Sequence, residues 1–156
     1  MRILVLSDSH ENIENMALAV NKTQPELILH LGDYVRDGEE LKNLFPDIPL
    51  IQVKGNCDAY DVCHAPLWRV YEADGYRIFF THGHYYRVKY DLLHLCYAAE
   101  EQNAELVLFG HTHIPLSEKR GAMTLLNPGS IGTGRHPSYA LIETSEKELK
   151  TSILYI

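Results

Sequence analysis

The sequence predicts an α/β fold, built as a layered α/β/β/α sandwich of two mixed sheets that are flanked by helices. Apolar runs of strand length alternate with segments of helical periodicity over the first two thirds of the chain, which is typical of βαβ units. An Asp74-Gly75 pair between two strand-like segments indicates a β-hairpin, which adds antiparallel strands. Further short strand-like segments follow residue 120, so the sheets are expected to be mixed.

Length and composition are those of one globular domain, which we expect to span residues 1–156. A chain of 156 residues buries about 70% of its unfolded surface. Its 46% hydrophobic and 22% charged residues are ordinary for a soluble protein. The net charge of -7 argues against a general nucleic-acid-binding surface but not against an anionic substrate.

Two features of the sequence predict a cytoplasmic protein that does not contact a membrane. No apolar run is long enough to span a bilayer, and the first residues lack the layout of a signal peptide. The three cysteines are an odd number without close pairing, which fits a reducing compartment rather than a disulfide framework.

The first predicted unit is βαβ. Residues 3–6 form an unbroken apolar run, as in a strand that is covered on both faces. Apolar residues at near-helical spacing follow, with Asn12 suited to cap them, and predict a helix to about Lys22. This helix returns the chain to a second strand over residues 27–31.

A second helix and a third strand follow in the same manner. Residues 39–45 are predicted to be helical, and Pro46 ends that helix because proline cannot continue it. A strand is predicted over residues 50–54. Residues 59–66 show no period, and we expect this loop to border the functional site.

The second half of the chain predicts the hairpin and a further helix. The hairpin strands are residues 67–72 and 77–81, joined by a tight turn at Asp74-Gly75. A helix over residues 91–102 leads to a strand over residues 105–109. The remaining predicted strands are residues 124–126, 140–143 and 151–155.

Side chains that bind metals follow five of the predicted strands, directly where each strand ends. In an open α/β sheet, ligands bind outside the carboxyl ends of the strands, so these side chains are expected to meet at one site. Asp and His two residues apart also leave the same face of an extended chain. The candidate ligands are Asp8, His10, Asp33, Asn56, His82, His111 and His113.

This ligand set indicates two transition-metal ions. Mixed oxygen and nitrogen ligands without a thiolate favour Mn, Fe, Ni, Co or Zn over Mg or Ca. Seven ligands exceed what one ion normally takes from a protein, so two ions that share a carboxylate are the simpler interpretation. A pair of ions roughly 3.5–4 Å apart activates water for phosphoryl transfer and for some amide hydrolysis. A two-metal amidohydrolase or nuclease therefore stays an alternative.

Five short motifs occur in a fixed order at these strand ends. They are Asp8-x-His10, Gly32-Asp33, Gly55-Asn56-x-Asp58, His82-Gly83-His84 and Gly110-His111-Thr112-His113. In this order they resemble the motifs of the calcineurin-like metallophosphoesterases. The following Asn127-Pro128-Gly129-Ser130 is similar to the small single-domain YfcE-like phosphodiesterases. The resemblance covers nearly the whole chain and implies the metallophosphoesterase fold and the hydrolysis of phosphate esters.

The resemblance also implies a role for each candidate residue. The first ion would be held by Asp8, His10 and His113, the second by Asn56, His82 and His111, with Asp33 bridging. The two ions would be Mn2+ or alternatively Ni2+, Fe2+, Co2+ or Zn2+. A hydroxide that bridges them would attack the phosphate. The catalytic residues would be Asp33, Asn56, Cys57 and His82. Beyond the resemblance, we expect the substrate-binding residues to be Asn56, Cys57, His84 and Arg135.

The expected substrate is a small phosphate ester, with a phosphodiester favoured over a monoester. Nucleic acid is expected only as a small nucleotide, and a homodimer or a homotetramer is compatible with the sequence. An alternative of a different class is a non-catalytic metal-binding interaction scaffold of the same fold. Such relatives tend to lose histidine ligands, whereas every ligand position here is filled, which favours an enzyme.

Cys57 departs from the motif that the resemblance implies. Much of the wider family has histidine at this position, where the imidazole positions phosphate and protonates the leaving oxygen. A thiol with an ordinary pKa of about 8.5 is a weaker substitute, so esters with poor leaving groups are expected to react slowly. The alternative is that Cys57 only fills space beside the ligands.

Other candidate side chains have structural interpretations. His30 and His94 are expected to be packed or supporting histidines, and Cys63 and Cys96 to be structural. His84 either orients a ligand or contacts phosphate. Arg135 and His136 either contact phosphate or belong to a solvated loop. Packing is the expected role of Tyr85, Tyr86 and Tyr90, and the lining of a substrate cleft is the alternative.

Overall fold

The structure is a computed structural model that describes residues 1–58 and 64–156. Within these ranges it contains ten β-strands, three α-helices and a short 3-10 helix at His84–Tyr86. In chain order the strands and α-helices are β1 (Arg2–Leu6), α1 (Ile13–Thr23), β2 (Leu27–His30), α2 (Val35–Leu44), β3 (Leu50–Gln52), β4 (Trp68–Ala73), β5 (Tyr76–Thr81), α3 (Leu93–Glu101), β6 (Leu106–Leu108), β7 (Leu116–Arg120), β8 (Met123–Asn127), β9 (Ser138–Ser145) and β10 (Glu148–Tyr155).

The strands form two mixed sheets of five strands each. The first sheet has the order β10-β9-β1-β2-β3, in which β1, β2 and β3 are parallel and β9 runs antiparallel to both of its neighbours. The second has the order β4-β5-β6-β8-β7, with β5, β6 and β8 parallel and an antiparallel strand at each edge. The parallel strands at each centre end at the same edge of their sheet.

Alternation along β1 explains its unbroken apolar run. Successive side chains of a strand point to opposite faces. Ile3 and Val5 therefore join the core between the two sheets, whereas Leu4 and Leu6 pack against the helices outside. All four side chains are fully buried, and each contributes roughly 1.5–3 kcal/mol of transfer free energy.

The helices cover the outer faces of the sheets. Met16 and Val20 of α1, together with Leu41 of α2, pack on the outer face of the first sheet. Leu95 and Ala99 of α3 pack on the outer face of the second. The layers therefore follow the order helix, sheet, sheet, helix, and the predicted sandwich of two mixed sheets flanked by helices is confirmed.

Helix α2 begins at Val35, four residues earlier than the predicted start at Glu39. The sequence did not predict this first turn because its cap lies 23 residues away in the chain. The Val35 N–H donates to Asp58 Oδ1 at 2.7 Å. Asp37 in the same turn is buried although it is charged. A buried polar first turn does not show the apolar period that predicts a helix.

The sheet edges also differ from the prediction. Strand β7 was not predicted, because its residues are mostly polar and it pairs only with β8 at the edge of its sheet. Strands β9 and β10 extend well beyond the predicted residues 140–143 and 151–155, since they pair with each other over their full length. Alternating exposed side chains on β10 weaken the apolar signal there.

Several single-residue predictions can be compared with the structure. His30 and Cys96 are buried as expected. His94 is exposed on α3, so its interpretation as a packed residue is wrong. The packing interpretation of the tyrosines is also wrong for Tyr85 and Tyr90, which are 67% and 87% exposed. Most of the predicted loop over residues 59–66, including Cys63, lies outside the described residues.

Within the described part of the chain, none of the helices is both long enough and apolar enough to cross a membrane.

Candidate metal centre

Loops that follow β1, β2, β3, β5 and β6 bring the seven predicted ligands into one cluster of mutual contacts. The cluster lies at the carboxyl ends of the parallel strands of both sheets. Four of its ligands, Asp33, Asn56, His82 and His111, are next to a glycine in the sequence motifs. The seven predicted ligands therefore meet at the strand ends, as the sequence led us to expect.

Asp8, His10 and His113 form the first group of ligand atoms, which all lie within 4.8 Å of one another. Asp8 is fully buried, and its Oδ1 forms no hydrogen bond although His113 Nε2 lies 3.0 Å away. His10 Nε2 is also buried without a hydrogen-bond partner. Buried polar atoms without partners are costly, and a bound cation would satisfy both of these.

Asp8, Asp33 and His82 form the second group, again with ligand atoms within 4.8 Å of one another. His82 Nε2 lies 3.5 Å from Asp33 Oδ1 and 3.9 Å from Asp8 Oδ1. The same nitrogen lies 3.1 Å from Asn56 Oδ1 and 3.2 Å from His111 Nδ1. Carboxylate, amide and imidazole ligand atoms thus surround a common space.

The Leu31 carbonyl sets the tautomer of His82. It lies 3.0 Å from His82 Nδ1, and because a carbonyl only accepts hydrogen bonds, Nδ1 carries the hydrogen. The lone pair of the neutral ring is then on Nε2 and faces the carboxylate and amide oxygens. Electron pairs that converge without a donor require a positive charge between them, so these residues fit a metal ion.

The two groups share Asp8, whereas the resemblance implied that Asp33 bridges. Asp33 Oδ1 accepts a hydrogen bond of 2.8 Å from the Cys57 backbone N–H, which fixes the carboxylate beside Asn56. The bridging role of Asp33 therefore stays a prediction, and Asp8 is a second candidate for it.

Five of the seven candidate ligands have a backbone in the left-handed region. Their φ angles are 54° for Asp8, 44° for His10, 57° for Asp33, 66° for His111 and 59° for His113. Non-glycine residues rarely adopt this region, and those that do cluster at functional sites, because the surrounding structure must compensate the strain. This backbone conformation bends each loop sharply just after its strand and turns the side chain into the cluster.

Gly110 allows the loop after β6 to approach the loop after β1 closely. A Cβ atom at this position would collide with the side chains of Ser7 and Asp8. The close approach lets the His111 backbone N–H donate to Asp8 Oδ2 at 3.1 Å. Ser7 Oγ donates to the same oxygen at 2.6 Å, so Oδ2 is satisfied while Oδ1 stays directed at the cluster.

Asp58 connects three backbone segments beneath the ligands. Its carboxylate accepts hydrogen bonds from the backbone N–H groups of Asp33 (3.1 Å), Gly55 (2.7 Å) and Val35 (2.7 Å). Hydrogen bonds to a carboxylate are stronger than those between neutral groups. Asp58 therefore fixes the loops that carry Asp33 and Asn56 relative to each other.

A second buried network lies between β2 and α2. Ser9 Oγ donates to Asp37 Oδ2 at 2.7 Å and lies 3.3 Å from His30 Nε2. Burial lowers the pKa of His30 to about 4, so its ring is neutral at physiological pH. His30 is thus a supporting residue beside the ligand loops, as the sequence predicted.

Electrostatics keep two of the ligands, Asp8 and His111, in the states that metal binding requires, whereas the contact with Asp8 raises the pKa of His113. Burial raises the pKa of Asp8, but contact with His113 and the charge of His82 outweigh it, so the pKa lies below its ordinary value. Burial lowers the pKa of His111 to about 4. Asp8 is therefore ionised and His111 neutral near pH 7, as ligands must be.

The predicted substrate-binding residues differ in their placement. The His84 ring is half-buried, lies 5.3 Å from the His82 ring between centroids, and both of its nitrogens lack hydrogen-bond partners. Cys57 is exposed at the edge of the cluster, and burial of its thiol, followed by its contact with Asp33, raises its pKa to about 11. Arg135 is exposed and makes no hydrogen bond or ion pair with the other described residues.

Sequence reasoning missed the residues that hold the ligands in place. Asp58 is the last residue of the Gly55-Asn56-x-Asp58 motif, so a signal for it was present. Asp37 and Thr133 carried no such signal, because each contacts the ligand region only through the fold.

Comparison with known proteins gives consistent results. The family model of the calcineurin-like phosphoesterase superfamily domain matches residues 1–147. The chain is 35% identical to the protein named probable metallophosphoesterase YsnB of Bacillus subtilis, covering 99% of this chain and 90% of YsnB. It is 28% identical to phosphodiesterase MJ0936 of Methanocaldococcus jannaschii, covering 99% of each chain.

A solved structure is similar over the same range. The crystal structure of a conserved Streptococcus pneumoniae protein, described as a predicted phosphoesterase, has a TM-score of 0.83 and 30% identity. The match covers 99% of this chain and 88% of that chain.

Proposed function

This chain belongs to the calcineurin-like phosphoesterase superfamily, and from that premise we propose that it is a metal-dependent phosphodiesterase with a two-metal site. The family is one of metal-dependent hydrolases of phosphate esters, and relatives that match along nearly the full chain are named phosphodiesterases. The single observation that carries the proposal is the convergence of the seven candidate ligands in one cluster, where Asp8 Oδ1 and His10 Nε2 are buried without hydrogen-bond partners.

We propose that the ligands fall into two sets. One ion would be held by Asp8, His10 and His113, and the other by Asn56, His82 and His111, with Asp33 or Asp8 shared. The mixed ligands favour Mn2+, and Ni2+, Fe2+, Co2+ or Zn2+ are chemically compatible. Bound there, two divalent ions supply positive charge and a water-derived nucleophile near neutral pH.

The chain's own residues would orient the ester and the ligands. The Leu31 carbonyl holds His82 with its lone pair toward the site, and the Cys57 backbone N–H holds Asp33. His84, with two free ring nitrogens beside His82, is placed to donate a hydrogen bond to a phosphate oxygen. The exposed Cys57 thiol would lie beside the departing group, where its raised pKa makes it a weak acid.

The remaining expectations become part of the same proposal. We propose that residues 1–156 act as one domain in the cytoplasm, on a small phosphate ester rather than on nucleic acid. Arg135 is exposed, and its role in substrate binding rests on its position in the sequence beside Gly132-Thr133-Gly134.

A non-catalytic scaffold of the same fold is the competing function. A metal-binding scaffold would keep the same ligands, but it would not need His84, whose two ring nitrogens lie beside His82 without hydrogen-bond partners. A polar side chain without a partner next to the ligands favours catalysis.

Histidine variants test the proposal directly. With Mn2+ added, the wild type is expected to hydrolyse bis(4-nitrophenyl) phosphate, and His111→Ala and His113→Ala should each lower kcat/KM by several orders of magnitude. His94→Ala is the matched control, because His94 is an exposed histidine on α3. A metal-loaded wild type that hydrolyses no phosphate ester would contradict the proposal.

A further inference from the structure

An apolar groove begins directly beside the metal ligands. Its volume is about 570 Å³, and it is lined by residues of the segment after the 3-10 helix and by residues of the loop after β6. Thr112, at one end of the groove, stands in the chain between the ligands His111 and His113. The groove therefore borders the loop that carries these two ligands.

The floor and the walls of the groove differ in exposure. Val88 and Phe109 form a buried apolar floor, with 5% and 1% of their surfaces exposed. Tyr90 and Ile114 stand at the rim with 87% and 68% of their surfaces exposed. A large aromatic and a branched aliphatic side chain left in water beside a catalytic centre indicate a surface that a ligand covers.

The charges around the groove restrict what it can bind. Asp91 lines the groove, and its carboxylate accepts a hydrogen bond of 2.8 Å from the Leu93 backbone N–H. A carboxylate in the lining disfavours an anionic occupant. The positive charge of Lys89, also in the lining, is close enough to act on both His111 and His113. A ligand with an anionic end at the metal centre and a neutral apolar end in the groove matches this distribution.

We propose that the groove binds the neutral apolar organic group of a phosphodiester whose phosphate lies at the metal centre. The proposal rests on the proposed phosphodiesterase function and names the class of substrate. The volume of the groove falls within the range of roughly 300–1,000 Å³ that is typical of small-molecule pockets. Cys57 approaches the centre on a loop of the first sheet, whereas the groove is formed by loops of the second, so two ester groups have separate places.

Two substrates with the same leaving group test this assignment. Methyl 4-nitrophenyl phosphate and phenyl 4-nitrophenyl phosphate both release 4-nitrophenolate and differ only in the group that the groove would bind. After correction for their uncatalysed rates, wild-type kcat/KM should favour the phenyl ester on the order of tenfold. The double variant Tyr90→Ser/Ile114→Ser should lose most of this preference.

Leu44→Ser is the matched control, because Leu44 is an apolar residue with 56% exposure at the end of α2, outside the groove. It should retain the preference for the phenyl ester. A wild type without the preference, or equal losses in the control and the double variant, would overturn the assignment.

A binding measurement separates this proposal from the proposed function. Calorimetric titration of the Mn2+-loaded protein with phenylphosphonate and methylphosphonate needs no turnover. About tenfold tighter binding of phenylphosphonate, lost in the double variant, supports the groove even if the protein hydrolyses neither ester. Equal affinities would overturn it. A wild-type dimer that the double variant converts to a monomer would also overturn it, since a second copy would then cover the groove.

Discussion

The hydroxyl of Thr133 lies 3.1 Å from Nδ1 of His113, while Nε2 of the same ring lies 3.0 Å from Asp8. Ser130 Oγ donates to the Asp8 carbonyl at 2.8 Å, so it accepts from the Thr133 hydroxyl rather than donating to it. Thr133 Oγ1 then accepts from the Nδ1–H of His113. The chain of hydrogen bonds thus places the lone pair of His113 on Nε2, toward the candidate metal centre.

Thr133→Val is expected to weaken metal binding about 10- to 100-fold, because loss of such a partner releases the orientation and tautomer of a ligating histidine. Calorimetric titration of the metal-free protein with Mn2+ measures the affinity. Nitrogen NMR of the imidazoles should show His113 partly in the other tautomer. Thr133→Ser keeps the hydroxyl and should retain wild-type affinity; a serine variant as weak as the valine variant would contradict this role.

Asp33→Asn is expected to reduce the metal content from two ions per chain to one and to abolish hydrolysis. The substitution removes the charge that a shared ligand needs, while an amide oxygen can still accept the Cys57 backbone N–H at its present position. Elemental analysis gives the stoichiometry, and circular dichroism should show an unchanged fold. A fully active wild type with a single ion would refute the two-metal proposal.

Cys57→His is expected to help substrates with poor leaving groups most. The Cys57 thiol, with its pKa raised to about 11, holds its proton too tightly to protonate an alkoxide well. A positioned acid typically contributes about 10²–10⁴-fold, and mainly to such leaving groups. The slope of log kcat/KM against leaving-group pKa should be steep in the wild type and flatter in the variant at matched metal occupancy. Parallel slopes would mean that Cys57 only fills space.

Stability of the metal-free protein should fall between pH 7 and pH 5, in part because of His30. Its folded pKa is lowered to about 4 by burial, so below its unfolded pKa of about 6.5 the unfolded chain binds a proton that the folded chain does not. The free energy of unfolding therefore decreases as the pH falls, by roughly 2 kcal/mol at pH 5.

Urea unfolding at both pH values measures this effect, and His30→Gln should remove roughly 2 kcal/mol of the pH dependence. His94→Gln is the control, because His94 is exposed and should leave the pH dependence unchanged. An unaltered slope in His30→Gln would show that other groups cause the acid sensitivity.

The sequence predicted the layers and the ligand cluster because both depend on local patterns. Asp8, His82 and His111 each follow an apolar run after one intervening residue, and parallel central strands end at one edge of a sheet. The pattern contains the strand, the turn and the ligand in a few consecutive residues, so no knowledge of distant contacts was needed.

Supporting residues could not be predicted in this way, since distant segments define their roles. Thr133 reaches His113 across 20 residues, and Asp58 caps Val35 across 23. The left-handed backbone of the ligands also leaves only a weak mark in the sequence, because aspartate and histidine, although enriched in this conformation among non-glycine residues, adopt it only rarely. The place of the exposed Tyr90 in a groove could not be predicted either, because part of the groove is formed by residues that are distant from it in the sequence.

The position of β1 in its sheet has a consequence for synthesis on the ribosome. β1 pairs with β2 on one side and with β9 on the other, so one edge of it stays open until residues 138–145 have been made. Its inner residues are apolar on both faces, which makes such an open edge prone to pairing with other chains. A nascent chain stalled before β9 would therefore expose the unpaired edge of β1, and a chaperone that binds extended apolar segments would have its target there.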